Sequence, residues 1–372
     1  MKYFAIILLL IAQSCQKPVK TENASSYIFT WVKDENDWNS DYIAVINSNP
    51  NDRGYGSLVS TLPVGYSDIN AHHSEHRFHE IKELFVNGFS GGRSFIVDLN
   101  EPEDPKLKKT FTNIREYTFP HSFERLPSGN VLATFQTVGQ GNNEVGGLVE
   151  ISPDGDFVRS SNASDPQVAE FIRPYSLAIL PEIDRVISTS ADMKQKDLSN
   201  VVQVWRLSDL SLIKTMTLKP GPRGNEHFDP AEPRILKDGK TVLISTFFCG
   251  LYKVKDIESD SPSIEWVYSF DFNDKYDCAI PVVNGDYWIQ AVGSKSAVVS
   301  LDVSDPEKPK KAHELKFKKG EWPHWIALEP SGNRLVVTGN NRLKNTLMIV
   351  DIDKKTGKMS FDRSFRDKRT GK

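Results

Sequence analysis

Eight histidines are spread through the chain, and five of them stand in short phrases of similar form. Asn70-Ala71-His72-His73-Ser74, Pro120-His121-Ser122 and Pro323-His324-Trp325 each lead into a run that reads as a strand, and Asn225-Glu226-His227-Phe228-Asp229 opens a comparable segment. Pro174-Tyr175-Ser176 and Tyr276-Asp277-Cys278 begin two further segments without histidine. A neutral imidazole nitrogen is a good ligand for copper, iron or zinc, so several brought together would hold a transition metal and leave room for a substrate or dioxygen. His72, His73, His121, His227 and His324 are the candidate ligands. Glu75, Glu226, Asp229 and Asp277 are the candidates for a second layer that fixes imidazole tautomers. His76, His79 and His313 fall outside the pattern and are expected to be surface or structural. Cys249 and Cys278 both stand where strands begin, and a disulfide or a pair of buried thiols is expected rather than a thiolate ligand.

Residues so far apart can meet only if the fold returns the chain to one place at a regular interval. The segments "SFIVDLNEPEDPKLKKTF", "GGLVEISPDGDFVRSS", "VVQVWRLSDLSLIKTMTL", "GLYKVKDIESDSPSIEWVYSF", "AVVSLDVSDPEKPKKAHELKF" and "LMIVDIDKKTGKMSFDRSF" repeat an apolar run, an acidic turn and a second strand. Each follows a hairpin of its own, such as "HSFERLPSGNVLATF" or "HWIALEPSGNRLVVTG", with turn residues between short strands. Four strands recurring at about 45 to 50 residues, with almost no amphipathic helix, predict an all-β fold, a β-propeller. The strands "YIFTWV", "DYIAVINS" and "GSLVSTLP" make an additional, incomplete unit, so seven blades are expected. In such a ring the first strand of every blade lines the central channel. The six phrases would then converge at one mouth.

The ends of the chain bear on location. Lys2, the apolar run Tyr3 to Ala12 and the small residues before Cys15 resemble a bacterial lipoprotein signal, and the run is too short to span a bilayer, which needs about 20 residues. The expected organisation is a leader over 1–14, lipidation at Cys15, a tether over 15–26, one propeller domain over 27–366 and a basic tail over 367–372, with Arg363 to Lys372 read as a solvated end. The protein is expected to be exported and lipid-anchored to the bacterial cell envelope, facing the periplasm or the outside. A formal charge of −3 and the absence of a Lys/Arg block before the C-terminus argue against nucleic acid. A small-molecule substrate and a monomeric state are expected.

The succession "INAHHSEH", "RSFIVDLNEPEDPKLKK", "FPHSFERLPSGNVLATF", "GNNEVGGLVEIS", "VVQVWRLSDLSLIKTMTL", "NEH" and "AVVSLDVSDPEKPKKAHEL" is similar, in order and spacing, to the selenium-binding protein family, which includes the methanethiol oxidases. The resemblance runs from about Tyr27 to Asp353. It implies a seven-bladed propeller and copper chemistry, in which a small thiol and dioxygen give an aldehyde, sulfide and peroxide. It carries over His72 and His73 as the paired histidines and His121 as a channel histidine; His227 matches in the "NEH" segment, and His324 rests on the repeat alone. The cysteine-rich stretch that follows the paired histidines in that family is replaced here by "EHRFHEIKELF".

Two other classes of function fit the same fold. A propeller-type polysaccharide lyase would use Tyr175, Arg173 and Arg223 with His121 to move a proton beside a uronate carboxylate. A non-catalytic propeller would bind a partner through its loops and fill its channel with the histidines.

Overall fold

A computed structural model of the chain describes residues 26–35, 39–77, 79, 82–139, 144–168, 172–193, 197–271, 277–341, 346–367 and 369. The leader, Cys15, nearly all of the tether and Tyr276 lie outside the described residues. Short alternating runs closed by tight turns form strands throughout, and the only helical element among the described residues is a single turn, Pro181–Ile183. The strands assort into seven antiparallel sheets that form a β-propeller. Several of its turns depend on glycine: Gly129, Gly239 and Gly332 join the first two strands of their blades at φ of 90°, 76° and 73°, a region where a side chain would be strained.

Blades 2 to 7 run from the axis outward, and their first strands are Ala71–Ser74, Tyr117–Arg125, Pro174–Leu180, Pro230–Ile235, Cys278–Asn284 and Glu321–Leu328. Blade 3 adds a two-residue strand, Asn113–Ile114, before its first long strand. Apolar residues from facing sheets fill the wedge between neighbours. Phe85 and Ile96 meet Phe123 and Val149 between blades 2 and 3, and Ile289 and Val298 meet Ile326 and Val350 between blades 6 and 7. Burying such side chains is worth roughly 1.5–3 kcal/mol each. These wedges fix the angle at which each inner strand meets the axis.

Blade 1 has three strands, Tyr27–Val32, Tyr42–Asn47 and Leu58–Pro63. The last of them leads into the inner strand of blade 2 and has the exposed pattern of an outer strand, while Ile43, Ala44 and Val45 in the middle strand are buried. The three therefore occupy the second, third and fourth places of a blade. Among the described residues this unit has three strands, as expected from sequence, and none of them takes the place nearest the axis.

Closure between blades 7 and 1 is polar. Buried Arg334 of blade 7 makes a two-pronged ion pair with Glu329 at 2.7 and 3.0 Å, then donates to the Ser48 carbonyl at 3.0 Å and the Tyr55 hydroxyl at 3.2 Å in blade 1. Tyr55 in turn donates to Asp362 at 2.6 Å and packs edge-on against Phe365, 5.1 Å between ring centres. Part of the C-terminal segment expected to be solvated is thus a strap over blade 1, because Phe365 gives it an apolar anchor.

Candidate metal centre

Every complete inner strand breaks register with its neighbour at the same height. The ladder shifts between Ala71 and Ser74 in blade 2, between Pro120 and Phe123 in blade 3 and between Pro174 and Leu177 in blade 4. It shifts again between Pro230 and Glu232, between Cys278 and Pro281, and between Pro323 and Trp325. A bulge releases residues from the ladder and re-aims their side chains, and proline, which has no N–H to give, suits its edge. The released residues are His72 and His73, His121 and Ser122, Tyr175 and Ser176, Ala231, Ile280, and His324.

A polar residue on the second strand braces these bulges from behind. Asn87 accepts from the His73 N–H at 2.6 Å and donates to the Pro120 carbonyl of the next blade at 2.8 Å. Thr134 accepts from the Ser122 N–H at 3.0 Å and donates to the Tyr175 carbonyl at 2.8 Å. Thr189 repeats the pattern with the Ser176 N–H at 3.1 Å and the Ala231 carbonyl at 2.6 Å. All three are buried. Sequence reasoning passed over them, although a buried polar residue at one place in "LFVNG", "VLATF" and "VISTS" is a readable signal.

Between the bulges of blades 2 and 3 the imidazoles converge. One ring nitrogen from each of His72, His73 and His121 lies within 4.8 Å of the others. His121 Nδ1 is 2.7 Å from the Tyr175 carbonyl, and a carbonyl only accepts, so Nδ1 carries the proton and the neutral ring leaves Nε2 bare. That nitrogen faces His72 Nε2 at 3.2 Å. His73 is held at both ends, with Nδ1 3.1 Å from the Ser122 hydroxyl and Nε2 3.3 Å from the Tyr175 hydroxyl. Burial pushes His121 down to about 3 and lowers His72 and His73 well below the usual imidazole range, with the neighbouring imidazoles adding to the effect on the latter two. The cluster is neutral at physiological pH, the form that binds a metal. A bare, fixed nitrogen opposite a second imidazole fits a transition ion.

His324 stands beside this group. Its charge would lower both His72 and His73, and its own pKa is pushed down by burial to about 4, but it is not one of the three converging ligands. His227 does not join them. It lies ahead of its inner strand with its ring 4.0 Å from that of Phe228, and Ala231 occupies the bulge of blade 5. The four candidate second-layer carboxylates are engaged elsewhere. Glu75 makes a buried two-pronged ion pair with Arg125 at 3.0 Å, Glu226 accepts from Ser269 at 2.9 Å, Asp229 accepts from the Ser199 N–H at 2.9 Å, and Asp277 binds Ser294. The atoms that orient the imidazoles are instead the Tyr175 carbonyl, the Tyr175 hydroxyl and Ser122.

His76, expected at the surface or in a structural role, stacks on Trp325 at 5.3 Å and lies 3.4 Å from buried Glu232. With His73 these two form another convergent set of ligand atoms. Arg234 argues against a cation there. Its guanidinium donates to His76 Nδ1 at 3.2 Å, so Nε2 must carry the proton of the neutral ring, and it also satisfies Glu232 at 2.9 Å. The groups named for a lyase are not assembled around an open cleft. Tyr175 is buried, Arg173 pairs with Asp192 at 3.4 Å, and Arg223 donates to the carbonyls of Phe270 and Phe248 at 2.9 and 2.8 Å. Cys249 and Cys278 form a disulfide that ties blade 5 to blade 6. His79 is half-buried, and His313 accepts from the Met359 N–H at 3.2 Å.

Seven antiparallel blades define a β-propeller, and solved propellers share the fold. The chain aligns with a hypothetical selenium-binding protein of Sulfolobus tokodaii at a TM-score of 0.74, with 14% identity over 93% of this chain and 91% of that one. A periplasmic gluconolactonase of Pseudomonas aeruginosa aligns at 0.65, with 12% identity over 92% and 96% of the two chains. Identity this low speaks to the fold alone. A narrower likeness comes from sequence: 137 residues are 31% identical to a methanethiol oxidase of Hyphomicrobium sp., covering 33% of this chain and 30% of that protein. The match therefore spans less than a third of the relative's length. No family model matches the chain. Together the partial match and the structural neighbours fit a propeller enzyme.

Proposed function

We propose that the chain is an exported, metal-dependent oxidoreductase acting on a small sulfur compound, with copper held by His72, His73 and His121 and with His324 beside them. The observation that carries the reading is the fixed tautomer of His121, whose bare Nε2 faces His72 Nε2 at 3.2 Å in a buried setting. Copper in such a donor set supplies redox chemistry between a thiol and dioxygen. The chain's own contribution is to position and shield. The Tyr175 carbonyl holds His121 in place, one of the two hydroxyls beside His73, Ser122 or Tyr175, would keep that ring while its other nitrogen turned to the ion, and Phe89 walls the cluster with ring centres 5.8 and 5.9 Å from His72 and His121. The overall reaction takes a thiol of the form R–CH2–SH with dioxygen and water to the aldehyde, hydrogen sulfide and hydrogen peroxide. The partial identity to a methanethiol oxidase supports that reaction class.

Lipidation at Cys15 and a monomer facing the periplasm or the outside complete the reading. The disulfide supports export, because such bonds persist in oxidising compartments. The test is copper content and turnover of the purified full chain. We expect stoichiometric copper, oxygen uptake with methanethiol, and release of sulfide and peroxide. Changing His72 and His121 together to Ala should lower copper affinity by about 100-fold or more and abolish uptake. Copper content unchanged in that variant, or turnover that survives chelation, would overturn the proposal.

A further inference from the structure

Beside blade 1, where no inner strand stands among the described residues, lies an open slot of about 620 Å³. The strands around it are thinly covered. Every residue of the inner strand of blade 4 is buried, whereas only Pro323 and Ile326 of the inner strand of blade 7, and none of Tyr27–Val32, are buried. The slot is walled by Phe29, Trp31, Leu84, Leu328, Val336 and Ile349. His72, His76 and Trp325 line it as well, as do Glu329 and Arg334. His72 thus belongs both to the converging imidazoles and to the wall of the slot.

We propose that this slot binds an elongated apolar small molecule whose leading end reaches His72. Its volume falls in the range of about 300–1,000 Å³ typical of small-molecule sites and is far more than a one-carbon thiol fills. The walls give a hydrocarbon or aromatic body its affinity, and the imidazole end receives its one polar or sulfur-bearing terminus. The inference deepens the oxidoreductase reading and rests on it only for what happens at that terminus.

The test titrates the full chain, metal-free and copper-loaded, with the fluorescent probe N-phenyl-1-naphthylamine, and displaces it with primary alkanethiols and matching alcohols of increasing length. Each added methylene should tighten displacement about three- to fourfold until the slot is full. Ala327→Phe and Val336→Phe each place a ring in the slot, and either should weaken displacement by at least about tenfold with the thermal midpoint kept. Two variants guard against one failing to fold. Failure of the probe to bind, affinity indifferent to chain length, or folded variants that bind like the parent would overturn the proposal. The metal reading fails separately: thiols and alcohols of equal length would then bind alike to copper-loaded protein while the chain-length slope remained.

Discussion

A carbonyl oxygen decides what His121 can do. Because Tyr175 offers an acceptor and nothing else at Nδ1, the proton is spoken for and Nε2 is left for a ligand. Burial then keeps protons away: His121 titrates at about 3 and His324 at about 4, while His72, His73 and His76 lie well below 6.5. In the unfolded chain these rings would take up protons below about 6.5, whereas the folded chain refuses them, so stability declines as pH falls from there toward the folded values. Each ring contributes a slope of up to about 1.4 kcal/mol per pH unit. The thermal midpoint of metal-free protein should accordingly fall between pH 6.5 and 5, and His324→Phe should show a shallower fall. A midpoint flat across that interval would mean the rings are hydrated after all. The same burial makes metal binding tolerant of acid, since protons do not compete until the pH nears the folded pKa values.

The unit that places these rings is a bulged inner strand braced by one polar residue behind it. Thr134 is the central brace, accepting from the Ser122 N–H and donating to the carbonyl that orients His121. Thr134→Val keeps the shape and removes both bonds, leaving a buried N–H and weakening the hold on the Tyr175 carbonyl. A loss of about 1–3 kcal/mol is expected in denaturant unfolding, together with a loss of about tenfold or more in copper affinity. A Val variant that loses stability but binds copper as before would show that Thr134 serves the fold alone. The sequence made much of this element legible. Strand, turn and repeat order were visible in alternation and acidic turns, and Pro-His in blades 3 and 7 and Pro-Tyr in blade 4 marked the bulge. His227 stands ahead of the bulge of blade 5, where the proline that ends the ladder is followed by Ala231. His76 and Glu232 were beyond reach. Their meeting depends on how blades 2 and 5 face each other across the axis, and nothing local in the chain encodes that distance.

At the scale of the ring, one junction differs in kind from the others. Apolar wedges join blades 1 to 7 in succession, but between 7 and 1 the described residues offer Arg334 with Glu329, Ser48, Tyr55 and Asp362, beside the slot. Trp325 adds a bridge near the axis, crossing from blade 7 to His73 and His76 of blade 2 with ring centres at 5.0 and 5.3 Å. A cavity at this junction stays open only if its rim is held by something other than hydrophobic filling, and a buried guanidinium with four oxygen acceptors does this at fixed length. Arg334→Met should therefore cost about 3–5 kcal/mol, because Glu329 stays buried without its two-pronged partner. Adding Glu329→Met removes the stranded charge and should recover much of that loss, since a buried ion pair replaced by apolar groups is often near neutral. The bonds to Ser48 and Tyr55 are not recovered, so the double variant should remain less stable than the parent in denaturant unfolding. If it matched the parent in full, the bonds across the junction would contribute nothing, and closure would have to be assigned to Trp325 and the Phe365 strap instead.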